Sequence, residues 1–428
     1  MTYIRSNGGY RTMRSTRTPA APSRGRRTHL THRTHRTHRT HRTTLAATGL
    51  VAALALTATA CNGSDDTSSD KPDATITASA SGGDGKLKIP SDIASKLKDH
   101  GIDVDEWAKG GWKDWDKDKW LSQAKDFVNP VIEGLWKPER MQSAKEANKT
   151  VSTKDAAADQ GVSDPEPAPV RAQAEKTPYH EHAAPVGKVF FDSPEGSMVC
   201  SGTVIKDVNH PGKSNLVWTA GHCVHAGQGG GWYRNIAFVP AYNDQGLSES
   251  QLSSADSSQV APYGQFWADW ASTSNQWIQG GSETGGAGAA YDYAVLHVKP
   301  ERGTKSLEET VGAALDVDFS APAPREVSSM GAWGYPAAPP FNGLKMFRCI
   351  DQPGRLSLSP SLPTMYRIGC TMTGGSSGGG WFRVVNGKTE LVSNTSIGPS
   401  NNTWLAGPQL GKGAQELYEN MSETYGGQ

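Results

Sequence analysis

The chain has 428 residues, a length that fits two or three domains. Its formal net charge is zero, but the charges are unevenly distributed. Residues 1–60 carry 11 Arg and no Lys or acidic residue. Residues 61–428 therefore have 32 basic and 43 acidic residues, a formal charge of −11. An acidic body excludes nucleic acid as the expected partner, because phosphates require a basic surface.

Residues 1–60 have the pattern of an export signal. An Arg-rich lead, which includes a Thr-His-Arg repeat at 31–42, precedes the uncharged apolar stretch 44–60, and this stretch ends in small residues. The stretch is short for a membrane span. A His-rich tract can bind metal, but here it lies in a segment that we expect to be removed, so we predict no metal site.

Cys61 directly follows Ala58-Thr59-Ala60. This arrangement resembles the lipobox of bacterial lipoproteins, in which the cysteine becomes the lipidated first residue. The alternative is an ordinary signal-peptidase cut nearby. We therefore predict a protein that is secreted or anchored to the outer face of the membrane by lipidated Cys61, with no other membrane contact.

Four further cysteines remain, and an even number fits disulfides in an oxidising compartment. Four cysteines allow three pairings, and proximity in sequence favours 200–223 and 349–370. None of the spacings resembles a zinc site. The cysteines concerned are Cys200, Cys223, Cys349 and Cys370.

The composition changes several times after the signal. Residues 61–85 are rich in Ser, Thr, Asp and Gly and predict a flexible tether. Residues 86–147 contain five tryptophans at spacings that suit short amphipathic helices. Residues 148–186 have the composition of an exposed linker. The five tryptophans are Trp107, Trp112, Trp115, Trp120 and Trp136.

Residues 187–428 have the sequence pattern of an all-β protein. Short β-branched and aromatic runs alternate with Gly, Pro and Asn. About 240 residues of this kind fit two small barrels with a buried core.

His222 is the candidate general base. It lies in Thr219-Ala220-Gly221-His222-Cys223, where a tight turn and a cysteine would hold the side chain rigidly. An arbitrary histidine is more often structural, but the other histidines of this region lack such a frame.

Asp292 is the candidate group to orient that base. It directly precedes the apolar run 294–298, so it can be buried, and a buried carboxylate persists only when it is paired. Its rivals are Asp316 and Asp318, which have looser contexts.

Ser377 is the candidate nucleophile, since it lies in a Gly-rich run between Cys370 and an apolar strand that begins at Trp381. Ser376 is its rival. Glycines give the backbone unusual conformations, so the N–H groups of Gly375 and Ser377 can converge as an oxyanion hole.

The three motifs, in the order His, Asp, Ser, resemble those of the trypsin-like serine proteases. The resemblance covers residues 187–425, is carried by 219–223, 292–296 and 375–379, and is greatest to the bacterial branch of the glutamyl endopeptidases and their actinobacterial relatives. It implies a double six-stranded β-barrel preceded by a disordered or partly helical N-terminal region, a triad in the cleft between the barrels, polypeptide substrates, no cofactor and no metal. It also implies a precursor, so we interpret 86–147 as a pro-segment; a wall- or partner-binding module is the alternative.

Two departures from the family bear on activation and specificity. Ser376 stands where animal enzymes have an aspartate that pairs with the new N-terminus. The segment 392–396 lacks the histidine by which glutamyl endopeptidases bind a carboxylate, and no acid lines the predicted pocket. We predict a neutral or small side chain at the cleavage site, with a pocket formed by Thr371, Met372, Thr373, Asn394 and Thr395.

The sequence thus predicts an extracytoplasmic serine endopeptidase. The alternative is a catalytically silent protein of the same fold that binds partners at the cell surface.

Overall fold

The computed structural model describes residues 87–88, 127, 129, 131–147, 150–152, 156 and 162–427. The predicted signal, tether, lipidated Cys61 and most of the Trp-rich region lie outside these residues. Among the residues described, no helix combines the length and the apolar character needed to cross a membrane.

The elements before residue 186 are short. Strands β1 and β2 pair antiparallel. In chain order the elements are β1 (Leu87–Lys88), β2 (Val131–Ile132), α1 (Pro138–Ser143), β3 (Lys145–Glu146), β4 (Thr150–Val151), β5 (Gln173–Ala174) and α2 (Tyr179–His182).

Six strands close the first barrel. Its strands, with a small hairpin β11–β12 inserted, are β6 (Val186–Ser193), β7 (Gly196–Ile205), β8 (Leu216–Thr219), β9 (Arg234–Pro240), β10 (Phe266–Thr273), β11 (Gly281–Ser282), β12 (Gly285–Gly286) and β13 (Ala294–Pro300). They pair antiparallel in the order β7-β6-β9-β10-β13-β8, and β8 pairs back to β7.

Strand β6 shows why apolar and polar residues do not simply alternate in the barrel strands. All eight of its residues are buried. Val189 and Phe191 point into one apolar cluster and Phe190, between them, into another. Because successive side chains of a strand face opposite sides, both faces of this strand are covered.

The second barrel is built from two sheets. The strands after the first barrel are β14 (Asp316–Val317), β15 (Met330–Gly334), β16 (Phe347–Asp351), β17 (Gly354–Leu356), β18 (Met365–Gly369), β19 (Gly380–Val385), β20 (Lys388–Asn394), β21 (Gly398–Pro399) and β22 (Trp404–Pro408). Strands β20-β19-β15-β16 form one sheet and β18-β22 belong to the other. These six strands enclose a core that includes the disulfide Cys349–Cys370. The predicted all-β fold with two six-stranded barrels is confirmed.

Helices lie outside the barrels. Five follow α2: α3 (Glu249–Leu252), α4 (Ser257–Val260), α5 (Asn275–Gly280), α6 (Leu307–Val311) and α7 (Lys412–Tyr425). Helix α7 buries Ala414, Tyr418, Met421 and Ser422, a spacing that places them on one face. Tyr425, at its end, stacks on Trp270 of β10 with ring centroids 4.6 Å apart.

Residues 127–147 contribute to the first barrel. Asn129 lies between β9 and β10, where its side chain bonds Ile236 O at 2.9 Å, Ala268 O at 2.7 Å and Ile236 N at 2.8 Å. Trp136 is fully buried in the largest apolar cluster, and its indole N–H donates to Asn235 O at 2.8 Å. The barrel core therefore includes a tryptophan from the preceding region.

Candidate functional site

His222 and Asp292 form a fully buried pair where the two barrels meet. His222 lies in the 3-10 turn Gly221–Cys223, directly after β8. Its backbone N–H donates to Asp292 Oδ1 at 2.8 Å, and its Nδ1 is 2.6 Å from Asp292 Oδ2. An ionised carboxylate only accepts hydrogen bonds, so Nδ1 carries the proton and Nε2 presents a lone pair.

Asp292 is held from the second barrel as well. Ser396 Oγ donates to Asp292 Oδ2 at 2.6 Å. Asn394 Nδ2 donates to Asp292 O at 2.9 Å, and Asn394 Oδ1 accepts from the Trp218 indole at 3.0 Å. The buried carboxylate is thus paired and hydrogen-bonded, as burial of a charge requires.

The rival aspartates lie in other ion pairs. Asp316 Oδ2 is 2.7 Å from Lys206 Nζ, and Asp318 Oδ2 is 2.5 Å from Arg383 Nη2. Of the three candidates, Asp292 is the one that the structure brings to His222.

The loop that carries Ser377 needs two glycines. Gly375 has φ +96° and Gly378 has φ +75°, in the region that favours glycine. A Cβ at Gly375 would lie 2.7 Å from Tyr335 O, and one at Gly378 would collide with Thr219 Oγ1. The loop therefore packs directly against the residues that precede His222.

Ser201 of β7 fixes this loop from the first barrel. Its N–H donates to Ser377 O at 2.7 Å, and its hydroxyl donates to Gly375 O at 2.9 Å. Its neighbour Cys200 forms a disulfide with Cys223, beside His222. One short stretch of β7 thus positions both the histidine turn and the serine loop.

The amides of Gly375 and Ser377 are the predicted oxyanion donors. Between them, Ser376 N donates to Thr373 O at 3.3 Å. Within the described part of the chain neither Gly375 N nor Ser377 N donates a hydrogen bond. Two free donors, one on each side of Ser376 and close to a serine hydroxyl, suit a developing oxyanion.

The two neighbouring serines differ in environment. Ser376 Oγ donates to Thr373 O at 2.7 Å, and Ser376 is 1 % exposed. Ser377 Oγ instead donates to Ala147 O, at 3.3 Å. In the described region His222 Nε2 has no hydrogen-bond partner. The Ser377 hydroxyl is therefore turned to residue 147 rather than to the imidazole.

A small cavity lies beside Ser377. Of the five predicted pocket residues, Met372, Thr373 and Thr395 line it. Thr371 and Asn394 do not, because Thr371 Oγ1 accepts from Ala172 N at 2.9 Å and Asn394 bonds Trp218 and Asp292. The wall also includes Thr150, Ile397, Gly398, Pro399, Asn402 and Leu405.

Two of the hydroxyls in the cavity wall already have hydrogen-bond partners. Thr373 Oγ1 donates to Ala338 O at 2.8 Å, and Thr395 Oγ1 accepts from the Trp381 indole at 2.9 Å. No acidic or basic side chain is among the described residues that line the cavity. Such a wall offers no partner to a charged side chain.

Lys188 lies behind the serine loop and is buried. Its Nζ donates to Gly343 O at 2.8 Å, in a loop whose Ala337 N donates to Gly374 O at 2.6 Å. Burial lowers the pKa of Lys188 to about 7.

One cluster has the composition of a metal site. The ligand atoms of Cys200, His222 and Cys223 lie within 4.8 Å of one another. The two sulfurs form a disulfide and His222 Nδ1 bonds Asp292. The two sulfurs are therefore not free to bind a metal as thiolates.

Sequence reasoning missed Ser201 and Ser396. Each contacts the site from a different strand region, 174 and 104 residues away from its partner, and no local motif marks either. Ser201 lies within β7, and Ser396 lies two residues after the end of β20.

The chain is similar to three solved protease structures. Thermostable serine protease AL20 from an extremophilic microorganism is 33 % identical, with 56 % of this chain and 98 % of that chain covered and a TM-score of 0.46. Protease Anisep from Arthrobacter nicotinovorans is 32 % identical, with 59 % and 99 % covered and a TM-score of 0.46. A Glu endopeptidase is 15 % identical, with 61 % and 100 % covered and a TM-score of 0.42. No protein-family model and no curated protein matches the chain.

Proposed function

We propose that this chain, which has the fold of the trypsin-like serine proteases, is a serine endopeptidase. The observation that carries the proposal is the buried pair of hydrogen bonds from His222 to Asp292, at 2.8 and 2.6 Å, next to the loop of Ser377. This pairing fixes the tautomer in which Nε2 can accept a proton.

In the proposed reaction Ser377 Oγ attacks the carbonyl carbon of the scissile peptide bond while His222 Nε2 takes its proton. The imidazolium then gives that proton to the leaving amine, and an acyl-enzyme remains. Water, deprotonated by the same Nε2, releases the acid. Asp292 holds the imidazole and stabilises its cationic form, and the amides of Gly375 and Ser377 stabilise the oxyanion.

The substrates of this proposal are polypeptides with an uncharged residue before the scissile bond. The cavity beside Ser377 is lined by the apolar side chains of Met372, Ile397 and Leu405. The hydroxyls of Thr373 and Thr395, which also line it, already have partners. Burial of an unpaired charge there costs several kcal/mol. A neutral side chain meets no such cost.

The proposal places the enzyme outside the cytoplasm. Two disulfides fit an oxidising compartment, and residues 1–60 have the pattern of a signal, followed by the lipidation candidate Cys61. We further propose 61–85 as a tether, 86–147 as an intramolecular pro-segment, 148–186 as a linker and 187–428 as the catalytic domain.

A fluorophosphonate that reacts with activated serines tests the proposed function. The secreted full chain is incubated with it before and after limited proteolysis, together with Ser377→Ala and the matched control Ser376→Ala. We expect mass spectrometry to locate the label on Ser377 in the wild type and in Ser376→Ala, and none in Ser377→Ala. Folded protein that remains unlabelled, intact and nicked alike, would instead favour the silent binding protein.

A further inference from the structure

Two short strands before the first barrel lie across the candidate active site. Strand β3 pairs parallel with β7, Lys145 opposite Met198 and Glu146 opposite Val199. Strand β4 pairs parallel with β21, Thr150 opposite Gly398 and Val151 opposite Pro399. We call residues 145–147 and 150–151 the cleft segment. It bridges an edge of the first barrel and a strand of the second.

Ala147, in the middle of the cleft segment, covers the candidate nucleophile Ser377. Ala147 N donates to Val199 O at 3.3 Å, and Ala147 O accepts from Ser377 Oγ at 3.3 Å. Ser377 is 5 % exposed. The segment thus occupies the position that the carbonyl group of a bound substrate would take.

The carbonyl of Ala147 has the wrong orientation for cleavage. Attack requires Oγ to approach the carbonyl carbon while the oxygen points to the oxyanion donors. Here the carbonyl oxygen accepts a hydrogen bond from Oγ, and the amides of Gly375 and Ser377 have no partner in the described region. The contact also holds the hydroxyl away from His222 Nε2.

The cleft segment is fixed on both sides. Upstream, Trp136 is buried in the barrel core, and Arg140 bonds the buried Asp192 at 2.8 Å. Downstream, Val151 is 3 % exposed and belongs to an apolar cluster with Ile397 and Trp404. Attachment at both ends makes occupation of the cleft intramolecular, with a high effective concentration.

The segment also borders the cavity beside Ser377. Thr150 belongs to the wall of the cavity beside Ser377, and its neighbour Val151 pairs with the opposite rim at Pro399. A substrate strand that paired with β21 would have to displace β4.

We propose that the cleft edges of β7 and β21 bind the chain's own cleft segment as an uncleavable intramolecular inhibitor, with the Ala147 carbonyl capping Ser377. This inference rests on the proposed function of Ser377 as nucleophile. It assigns the inhibitory contact to the last residues of the pro-segment and the start of the linker.

The first test measures the rate of fluorophosphonate labelling of the unproteolysed full chain. Val151→Asp buries a charge in the apolar cluster and should release β4, so we expect labelling of Ser377 at least tenfold faster than in the wild type. The matched control Val208→Asp changes a valine that is 63 % exposed, and we expect the wild-type rate. Circular dichroism and thermal melting verify that both variants are folded.

The outcomes separate the two proposals. Fast labelling of the wild-type chain, equal to that of Val151→Asp, would overturn the inhibitor while leaving the protease intact. No labelling of Ser377 in any folded variant, before or after limited proteolysis, would overturn the proposed function itself.

A second test does not depend on the stability of that variant. A synthetic peptide with the sequence of residues 144–152 is added to the chain after limited proteolysis has activated it. We expect inhibition of peptide hydrolysis, recovery of the peptide uncut after Ala147, and no inhibition by a scrambled peptide. Rapid cleavage after Ala147 would mean that the segment is a substrate, and the absence of inhibition together with unchanged labelling of Val151→Asp would also overturn the proposal.

Discussion

Ser201 donates two hydrogen bonds to the loop of Ser377, one from its N–H to Ser377 O at 2.7 Å and one from its hydroxyl to Gly375 O at 2.9 Å. The same hydroxyl accepts from Tyr335 N at 2.9 Å. Because Cys200 beside it is tied to Cys223, the geometry of the serine loop is set by the strand that also holds the histidine turn.

Ser201→Ala should therefore reduce catalysis without weakening substrate binding. The variant leaves the buried Tyr335 N–H and Gly375 O without this partner, a loss of about 1–3 kcal/mol. We expect kcat to fall roughly tenfold or more, with KM changed less than twofold. Peptide hydrolysis by the nicked protein measures this, with exposed Ser254→Ala as control; a kcat within twofold of wild type would contradict it.

Ser396→Ala should have a comparable effect through the base. Ser396 Oγ donates to the buried carboxylate of Asp292 at 2.6 Å, and a hydrogen bond to a charged group contributes about 1.5–3 kcal/mol. We expect kcat to fall by roughly 10- to 100-fold. Ser396→Thr keeps the hydroxyl and should restore most of the rate. Equal losses in both variants would indicate a packing role instead.

The cavity predicts selectivity among otherwise identical peptides. With Ala or Val before the scissile bond, kcat/KM should exceed that for Arg, Lys or Glu by at least roughly 100-fold, because a buried charge finds no partner there. A panel of fluorogenic peptides that differ in this one residue measures the ratio. Preference for Arg, Lys or Glu would contradict the assignment of the pocket.

Lys188 predicts how stability depends on pH. Burial lowers its pKa from the ordinary 10.5 to about 7, so between these pH values the unfolded chain binds more protons at this position than the folded chain. The free energy of unfolding contributed by this group therefore rises with pH through that window, by up to about 1.4 kcal/mol per pH unit, and below pH 7 the destabilisation is complete.

Urea unfolding of Lys188→Met at pH 6.5 and 9.5 checks this. The variant lacks the titrating amine, so its stability relative to wild type should be greatest at the lower pH and should decline at the higher one. Exposed Lys388→Met is the control and should show no such trend. A constant difference between Lys188→Met and wild type would contradict the assignment.

The fold was predictable because its signal is local. Runs such as 187–191 and 294–298 carry β-branched and aromatic residues between turn residues. Such runs predict short strands whichever strands they pair with. The motif residues were also recognisable from their neighbours, since a Gly-rich loop and a cysteine leave few structural alternatives for Ser377 and His222.

The supports of the site were not predictable in this way. Ser201 reads as an ordinary strand residue, and Ser396 as an ordinary polar residue after a strand. Asn394 was expected in the pocket because 392–396 corresponds to the strand that carries the specificity histidine in glutamyl endopeptidases, but its amide bonds Asp292 O and the Trp218 indole. Which face a polar residue presents depends on strand register, and register is a long-range property.

The parallel pairing of β3 with β7 and of β4 with β21 has a further consequence for the protein once the cleft segment leaves. Strand β7 at Met198–Val199 then pairs only with β6, and β21 loses the strand with which it pairs. Open strand edges capture extended polypeptides by main-chain hydrogen bonding, and they also promote self-association. Activation would thus create the docking edge for a foreign peptide and an aggregation hazard at the same moment.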